Sequence, residues 1–264
     1  MNRVAIRWTI GDVSSRGFDA LALSIRSLTA LLPGAEFVVT VNSIPLPEAR
    51  RRIGSVAGLV DWHASDSQAA EWLRHHVDRN FAEGVAWKLA PVRLFPNRFE
   101  LSLDNDIVLW DLPPSIETWL NDPESCLIAE DVAPAFGQFS AICGLGPRNS
   151  GIRGLPPGFD MEFGLRDMLK RHPVVMHSEL DEQGLQVAVI NEVKHHVVTL
   201  GEVTICSPFP PHVRSLGRSG AHFVGLNSDA LQSGGERWVR ANWDGWLPVI
   251  TERVQAASAN TSLV

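Results

Sequence analysis

The chain has 264 residues, 45% of them apolar, and a formal charge of −7 at neutral pH. That apolar share suits one large core rather than a string of modules, and the acidic balance argues against a nonspecific nucleic-acid surface. No window approaches the roughly 18 apolar residues of a membrane span, and Met1 to Trp8 lacks the apolar run of a signal peptide, so a soluble cytoplasmic protein without a transmembrane segment is expected.

In chain order, Val4 to Ile10 reads as a strand left by the loop Gly11-Asp12-Val13-Ser14-Ser15. Phe18, Leu21, Ala22, Ile25, Leu28 and Leu32 follow at helical spacing, and Glu36 to Val41 is rich in β-branched residues, which together open an α/β unit with a parallel sheet. Ala49 to Ile53 reads as a short helix carrying the solvated run Arg50-Arg51-Arg52, Val56 to Trp62 as a strand, and Ala69 to Val77 as a helix. Gly84 to Phe95 reads as a helix kinked near Pro91, and Arg98 to Leu103 as a strand that ends abruptly in polar residues.

Further along, Ser125 to Ala129 and Gln138 to Cys143 read as strands, and Gly144 to Gly158 as loop around a strand at Gly151 to Leu155. Phe159 to Arg171 and Gln183 to Val193 are predicted helices, and His196 to Leu200 with Val203 to Cys206 a hairpin turning at Gly201-Glu202. Gly234 to Trp243 is a predicted short last helix, whose Trp243 and Trp246 suit stacking on a base or sugar as well as they suit a core. Residues 1–254 are expected to form a single domain and 255–264 a flexible tail. Cys126, Cys143 and Cys206 are odd in number and in no metal-finger spacing, which fits a reducing compartment.

The sharpest local feature is Leu101-Ser102-Leu103-Asp104-Asn105-Asp106-Ile107-Val108-Leu109. Two carboxylates one residue apart follow an apolar strand, and ligands of α/β sheets bind at the carboxyl ends of strands. Carboxylates this close raise each other's pKa unless a cation lies between them. A hard divalent ion relieves the repulsion and bridges such oxygens to substrate phosphates. An Asp-Asn-Asp triplet is also ordinary turn chemistry, so the triplet alone does not decide between site and turn.

Trp87 to Phe95 followed by Phe99 to Leu109 resembles the GT-A fold glycosyltransferases, in particular the glycogenin and lipopolysaccharide galactosyltransferase-like group. Further segments resemble that group in the same order: Thr9-Ile10-Gly11-Asp12, Asn149-Ser150-Gly151-Ile152, Asp181-Glu182-Gln183 and Gly220-Ala221-His222-Phe223-Val224-Gly225. The resemblance implies an α/β fold with a central, mostly parallel, mixed sheet flanked by helices. It implies transfer of a hexose from a nucleotide diphosphate sugar to an acceptor hydroxyl, with retention of configuration. It further implies Asp104, Asp106 and His222 as metal ligands, with Mn²⁺ favoured by the imidazole and Mg²⁺ the alternative. Thr9, Ile10, Gly11, Asp12, Lys88, Asp104, Asn105, Asn149, Ser150, Gly151 and Gly225 are implied at the donor.

Asp181, Glu182 and Gln183 are the implied catalytic group. The family's acidic-Gln pair falls either on Glu182-Gln183 or, in a shifted register, on Asp181, and acidic residues at a helix start are also ordinary. The family's Lys-Pro-Trp after the late histidine is absent, leaving Arg218, Arg237 and Arg240 as candidates for phosphate contact. The acceptor, whether sugar, lipid, small molecule or protein, leaves no mark. Nucleotidyl transfer to a sugar phosphate and non-catalytic binding of a nucleotide sugar or protein are the competing readings.

Overall fold

The computed structural model describes residues 3–65, 70–78, 88–227 and 234–261. Its first half runs β1 (Val4–Ile10), α1 (Ser15–Leu31), β2 (Glu36–Val41), α2 (Leu46–Ile53), β3 (Asp61–Ala64), α3 (Glu71–Arg74), β4 (Phe99–Asp104) and β5 (Ile107–Leu109). There follow α4 (Pro114–Trp119), β6 (Cys126–Glu130), β7 (Arg148–Leu155), α5 (Met161–Arg171), α6 (Glu179–Asn191), β8 (His195–Val198), β9 (Val203–Cys206), β10 (Gly220–Phe223) and α7 (Gly234–Thr261).

Strands order as β3-β2-β1-β4-β7-β6-β8 in the larger sheet and β5-β10-β9 in the smaller. In the larger sheet β7 alone runs against its neighbours, so the sheet is mixed but mostly parallel. Alternation along each strand divides the sheet into two faces. Ile6, Trp8 and Ile10 of β1 and Leu101 and Leu103 of β4 meet Phe18, Leu21, Ile25 and Leu28, the apolar stripe of α1. The opposite face packs Ile128 and Leu155 against Leu165, Leu169 and Leu185 of α5 and α6. A third core joins β5, β10 and α7 through Val108, Phe223, Trp243 and Ile250. Helix starts are capped by short polar side chains, Ser14 accepting from Gly17 N and Asp160 from Phe163 N. Among the described residues no helix is long and apolar enough to cross a membrane.

Several local expectations are corrected. Val56 to Trp62 is a 3₁₀ turn over Gly54–Leu59 with the strand starting at Asp61, because a single residue, Val56, of that turn is buried. The helix expected over 69–77 shrinks to α3, with Ala69 outside the described residues, and Val77 bridges to Met176 instead. In Gly84 to Phe95, residues 84–87 lie outside the description; helix ends at Leu89 and turns follow, since a proline disfavours helix in the residue before it. Gln138 to Cys143 is not a strand but a 3₁₀ turn, Gly137–Phe139, and further turns, with Phe139 driven into the core beside α6.

The expected hairpin does not form, because β8 pairs with β6 in the larger sheet while β9 pairs with β10 in the smaller. Between them Glu202 accepts from Thr199 N at 2.8 Å and Ser115 N at 2.9 Å, turning the chain from one sheet to the other. The last helix is 28 residues long, passes Pro248 and takes in 255–261, where a tail was expected. Its stripe of Trp243, Ile250 and Val254 is buried, which outweighs one lost backbone bond. Trp243 meets Phe223 edge to face at 5.0 Å and so closes a core rather than a ligand site.

Candidate metal and nucleotide-sugar site

The sheet register assembles the site. On the face away from α1, Arg7, Ser102 and Arg153 form one row across β1, β4 and β7, and Thr9 pairs with Asp104 one pleat repeat further toward the carboxyl ends. Because β7 is antiparallel, its first residues Asn149, Ser150 and Gly151 come to that same end. After Asn105 and Asp106 the chain enters β5, which pairs antiparallel with β10 so that His222 stands opposite Ile107. Phe223 N donates to the Asp106 carbonyl at 3.0 Å, fixing that junction. Two carboxylates and an imidazole separated by more than a hundred residues thereby converge.

His222 Nε2 lies 3.2 Å from Asp106 Oδ1 and 3.7 Å from Asp104 Oδ2. One ligand atom from each of the three residues falls within 4.8 Å of the others. Asp106 Oδ1 is enclosed and, despite the nearby imidazole, has no hydrogen-bond partner of acceptable direction. A buried anionic oxygen left so is costly in a protein interior. The space beside it is kept open by Gly151, where a Cβ would come 2.5 Å from His222 Cε1 and 3.0 Å from Asp104 Oδ2. The orphaned oxygen, the cradle and the oxygen-rich donor set fit a divalent cation.

The electrostatics split the two carboxylates. Burial penalises the Asp104 anion, but Lys88 and His222 outweigh it and hold that carboxyl below its usual range. Burial, with Asp104 adding to it, pushes Asp106 up against the pull of His222. Burial also opposes a charged His222, yet Asp106 and Asp104 together raise it. Without a cation, therefore, protons do part of its work.

Lys88 Nζ donates to Asp104 Oδ2 at 3.0 Å and Ser150 Oγ at 3.2 Å, and stands 3.9 Å from Glu182 Oε2. Burial disfavours its charge, but Asp104 and Glu182 hold it protonated. Burial raises Glu182 to about 7 against the opposing pull of Lys88. Gln183 accepts from Ser150 N at 3.3 Å and donates to the Ala135 carbonyl at 2.9 Å. These groups line one cavity of about 800 Å³ with Thr9, Asp104, Asn105, Asp106, Asn149, Gly151, His222 and Gly225.

Not every sequence-predicted residue joins them. Ile10 is core, the Gly11 carbonyl accepts from Val13 N, and Asp12 is exposed and paired with Arg52 at 3.1 Å, so none of the three lines the cavity. Asp181 is also outside it, its carboxylate accepting from Gln138 N and His177 N, both at 2.8 Å. Arg218 lies in a separate surface depression with Arg253, and neither Arg237 nor Arg240 lines the cavity. Conversely, Arg7, Arg153, Asp131, Gln186 and Asn227 line it and were not expected. Asp131 accepts from Asn149 Nδ2 at 3.0 Å. Gln186 bonds both Arg153 and Glu182. Arginines inside β-strand sequences such as Val-Ala-Ile-Arg-Trp and Gly-Ile-Arg-Gly were the available signal.

Fold and cluster together define an α/β protein of the GT-A type with a candidate divalent-metal site at its strand ends. The solved structures it is similar to include the galactosyltransferase LgtC in complex with donor and acceptor sugar analogues, at 12% identity and TM-score 0.52, covering 91% of this chain and 99% of that one. An active-site mutant of LgtC matches at 14% identity and TM-score 0.54 with the same coverage. The bifunctional glycosyltransferase WbbM matches at 14% identity and TM-score 0.57, over 96% of this chain and 52% of that one. At such identities the shared property is the fold. No family model matches the sequence, and no curated protein does.

Proposed function

We propose that the protein transfers a hexose from a nucleotide diphosphate sugar to an acceptor hydroxyl, with retention, as a metal-dependent enzyme of the cytoplasm. The observation that carries this is the convergence of Asp104, Asp106 and His222 around a buried Asp106 oxygen that accepts no well-directed hydrogen bond, at the base of a cavity of about 800 Å³. That size suits a drug-sized ligand. These three side chains would hold Mn²⁺, favoured over Mg²⁺ by the imidazole, and the ion when bound would neutralise charge growing on the departing diphosphate. The names of the fold's neighbours, a galactosyltransferase and a bifunctional glycosyltransferase, support the same reading.

The chain's own groups supply the rest. Lys88 brings a fixed positive charge to the diphosphate side and locks Asp104 and Ser150 in place. Glu182 and Gln183, not Asp181, are the acidic-Gln pair in this reading, because these two face the cavity. They orient the sugar, and the ionised fraction of Glu182, a carboxyl that burial raises to about 7, stabilises the positive charge that develops at its anomeric carbon. Thr9, Asn105, Asn149, Ser150, Gly151 and Gly225 complete the donor wall. Arg7 and Arg153 keep the floor cationic without the family's Lys-Pro-Trp.

The test is calorimetric titration of a panel of nucleotide sugars with and without Mn²⁺, followed by mass-spectrometric detection of product. At least one donor is expected to bind only with metal, and Asp106→Ala is expected to abolish the metal-dependent part while remaining folded. Binding indifferent to metal, or none across the panel, refutes the proposal.

A further inference from the structure

The cavity changes character between base and rim. Its buried lining carries Asp106, His222, Glu182, Gln183, Asn149 and Arg153, whereas its exposed lining residues are Pro134, Glu179, Leu180 and Phe209. Val132, Ala133 and Ala135 continue that rim beside Pro134. Phe209 is 63% exposed and Leu180 41%, so two of the large apolar side chains that the described residues leave in solvent line one opening. Single exposed apolar residues need no explanation, but several lining one cleft mark a binding surface.

The placement of Phe209 is built into the fold. Its N–H donates to Ser207 Oγ at 3.1 Å. On one side the chain of α7 abuts Pro208 so closely that a Cβ on Gly235 would stand 1.9 Å from the Pro208 carbonyl oxygen. On the other, His212 stacks on Trp238 of α7 with ring centroids 4.4 Å apart. The segment that holds the phenyl ring in water is thus braced against a helix at both ends, and the ring itself is left without a core.

We infer that the acceptor is a neutral hydroxyl compound bearing an apolar group, an alkyl chain or an aromatic ring, which lies across Phe209, Leu180 and the Val132–Ala135 segment while its hydroxyl reaches down toward Gln183. This rests on the glycosyl-transfer reading and adds to it the chemical class of the second substrate. Among the described rim residues Glu179 is the one charge, and it repels an anionic acceptor. In the glycosyl-transfer reading the polar cluster at the base serves the diphosphate and the sugar, and the described rim, Glu179 apart, is apolar. Covering it releases water from Phe209 and Leu180, a gain that a bare sugar hydroxyl does not offer.

The experiment uses the full chain loaded with Mn²⁺ and the nucleoside diphosphate found to bind it. Matched methyl, octyl and 4-nitrophenyl glycosides of several hexoses are titrated, the octyl compounds below their micelle concentration. An apolar member is expected to bind at least tenfold tighter than its methyl partner, and Phe209→Ser and Leu180→Ser are each expected to shrink that ratio at least threefold with nucleotide affinity unchanged. Preference for octyl identifies a lipid-like acceptor, and preference for nitrophenyl an aromatic one. Equal affinity within each matched set, no binding of any member to the loaded protein, or a preference that survives both substitutions overturns the inference. Failure of nucleotide and metal to bind in the first place overturns instead the reading beneath it.

Discussion

Replacing Gly151 by alanine adds one methyl group to the tightest point of the site. The glycine lies in β7 where that strand bulges against β6, but not in the left-handed region, so alanine meets no positive-φ penalty there. The effect is therefore steric. The new Cβ would sit 2.5 Å from His222 Cε1, 2.7 Å from Asn149 Oδ1 and 3.0 Å from Asp104 Oδ2. Restoring ordinary contact moves the imidazole by roughly 1 Å, beyond the ~0.5 Å within which a productive constellation must be held. Displacing groups that orient metal ligands costs about 10- to 100-fold in affinity, and overpacking costs about 1–3 kcal/mol of stability. We expect Gly151→Ala to fold with a lowered denaturation midpoint and to bind Mn²⁺, in the presence of nucleoside diphosphate, at least tenfold more weakly by calorimetry. Gly201→Ala is the control, since its Cβ meets nothing closer than Thr199 Oγ1 at 3.9 Å. Wild-type metal affinity in a folded Gly151→Ala protein would refute the claim that this cradle holds the ion.

Two further outcomes separate the roles of neighbouring acids. Glu182 is raised to about 7 in the folded chain by burial, from 4.5. The folded state therefore holds a proton that the unfolded state has lost between those values, and stability falls as pH rises through that window. In chelator-treated protein, urea unfolding at pH 5 and pH 8 should show a loss of roughly 2 to 3 kcal/mol in wild type beyond any change in Glu182→Gln; equal slopes for the two proteins would remove the buried, protonated glutamate from the picture. Asp181→Asn should lower stability by about 1–3 kcal/mol, because an amide group replaces an oxygen that accepts from Gln138 N or His177 N. It should leave metal-dependent nucleotide binding intact, and a loss of binding without a loss of stability would return Asp181 to the site.

What the sequence reveals of this molecule follows from what is local. β1 and β2 are read to the residue because each alternates or runs apolar between unmistakable turns. Asp104 and Asp106 are legible for the same reason, as an apolar strand that stops in acid. His222 is legible through the family resemblance alone: nothing in its spacing ties it to Asp106, and the pairing of β5 with β10 that brings them together is a contact between distant segments. The same limit misled the expectation of a hairpin after Val198, where two adjacent strands enter different sheets. Asp181 and Glu182, adjacent in sequence, point to a loop and to the cavity respectively, a distinction set by the close pass of the chain at Gly137, where a Cβ would meet Asp181 Oδ1 at 2.1 Å.

The junction between the two sheets bears on the competing reading of nucleotidyl transfer, which needs a free phosphate-binding loop after β1. Here that loop is occupied by protein. Ser14 N donates to the Asn227 carbonyl at 2.8 Å, Ser14 Oγ to the Leu226 carbonyl at 3.0 Å, and Arg52 pairs with Asp12 while bonding the Val13 carbonyl. Asn227 in turn exchanges amide bonds with Asn105 at 2.7 and 3.2 Å and reaches Asp106 Oδ2 at 3.4 Å. A Cβ on Gly17 would strike Asn227 Oδ1 at 2.6 Å, so the start of α1 is closed against this knot. Ser14 N is spent on the Asn227 carbonyl, Asp12 N on Ser43 Oγ and Val13 N on the Gly11 carbonyl, and the bonds of Ser14 and Asn227 tie the loop after β1, the Asp104–Asp106 turn and the chain after β10 into one unit. That unit faces the other way, with its carboxylates and imidazole turned into the cavity, and a cation held there would bridge Asp104 of one sheet to His222 of the other. Binding of the ion and rigidity of the sheet junction are then one equilibrium, as the proposed glycosyl transfer would require of a site that holds a diphosphate still while the bond to its sugar breaks.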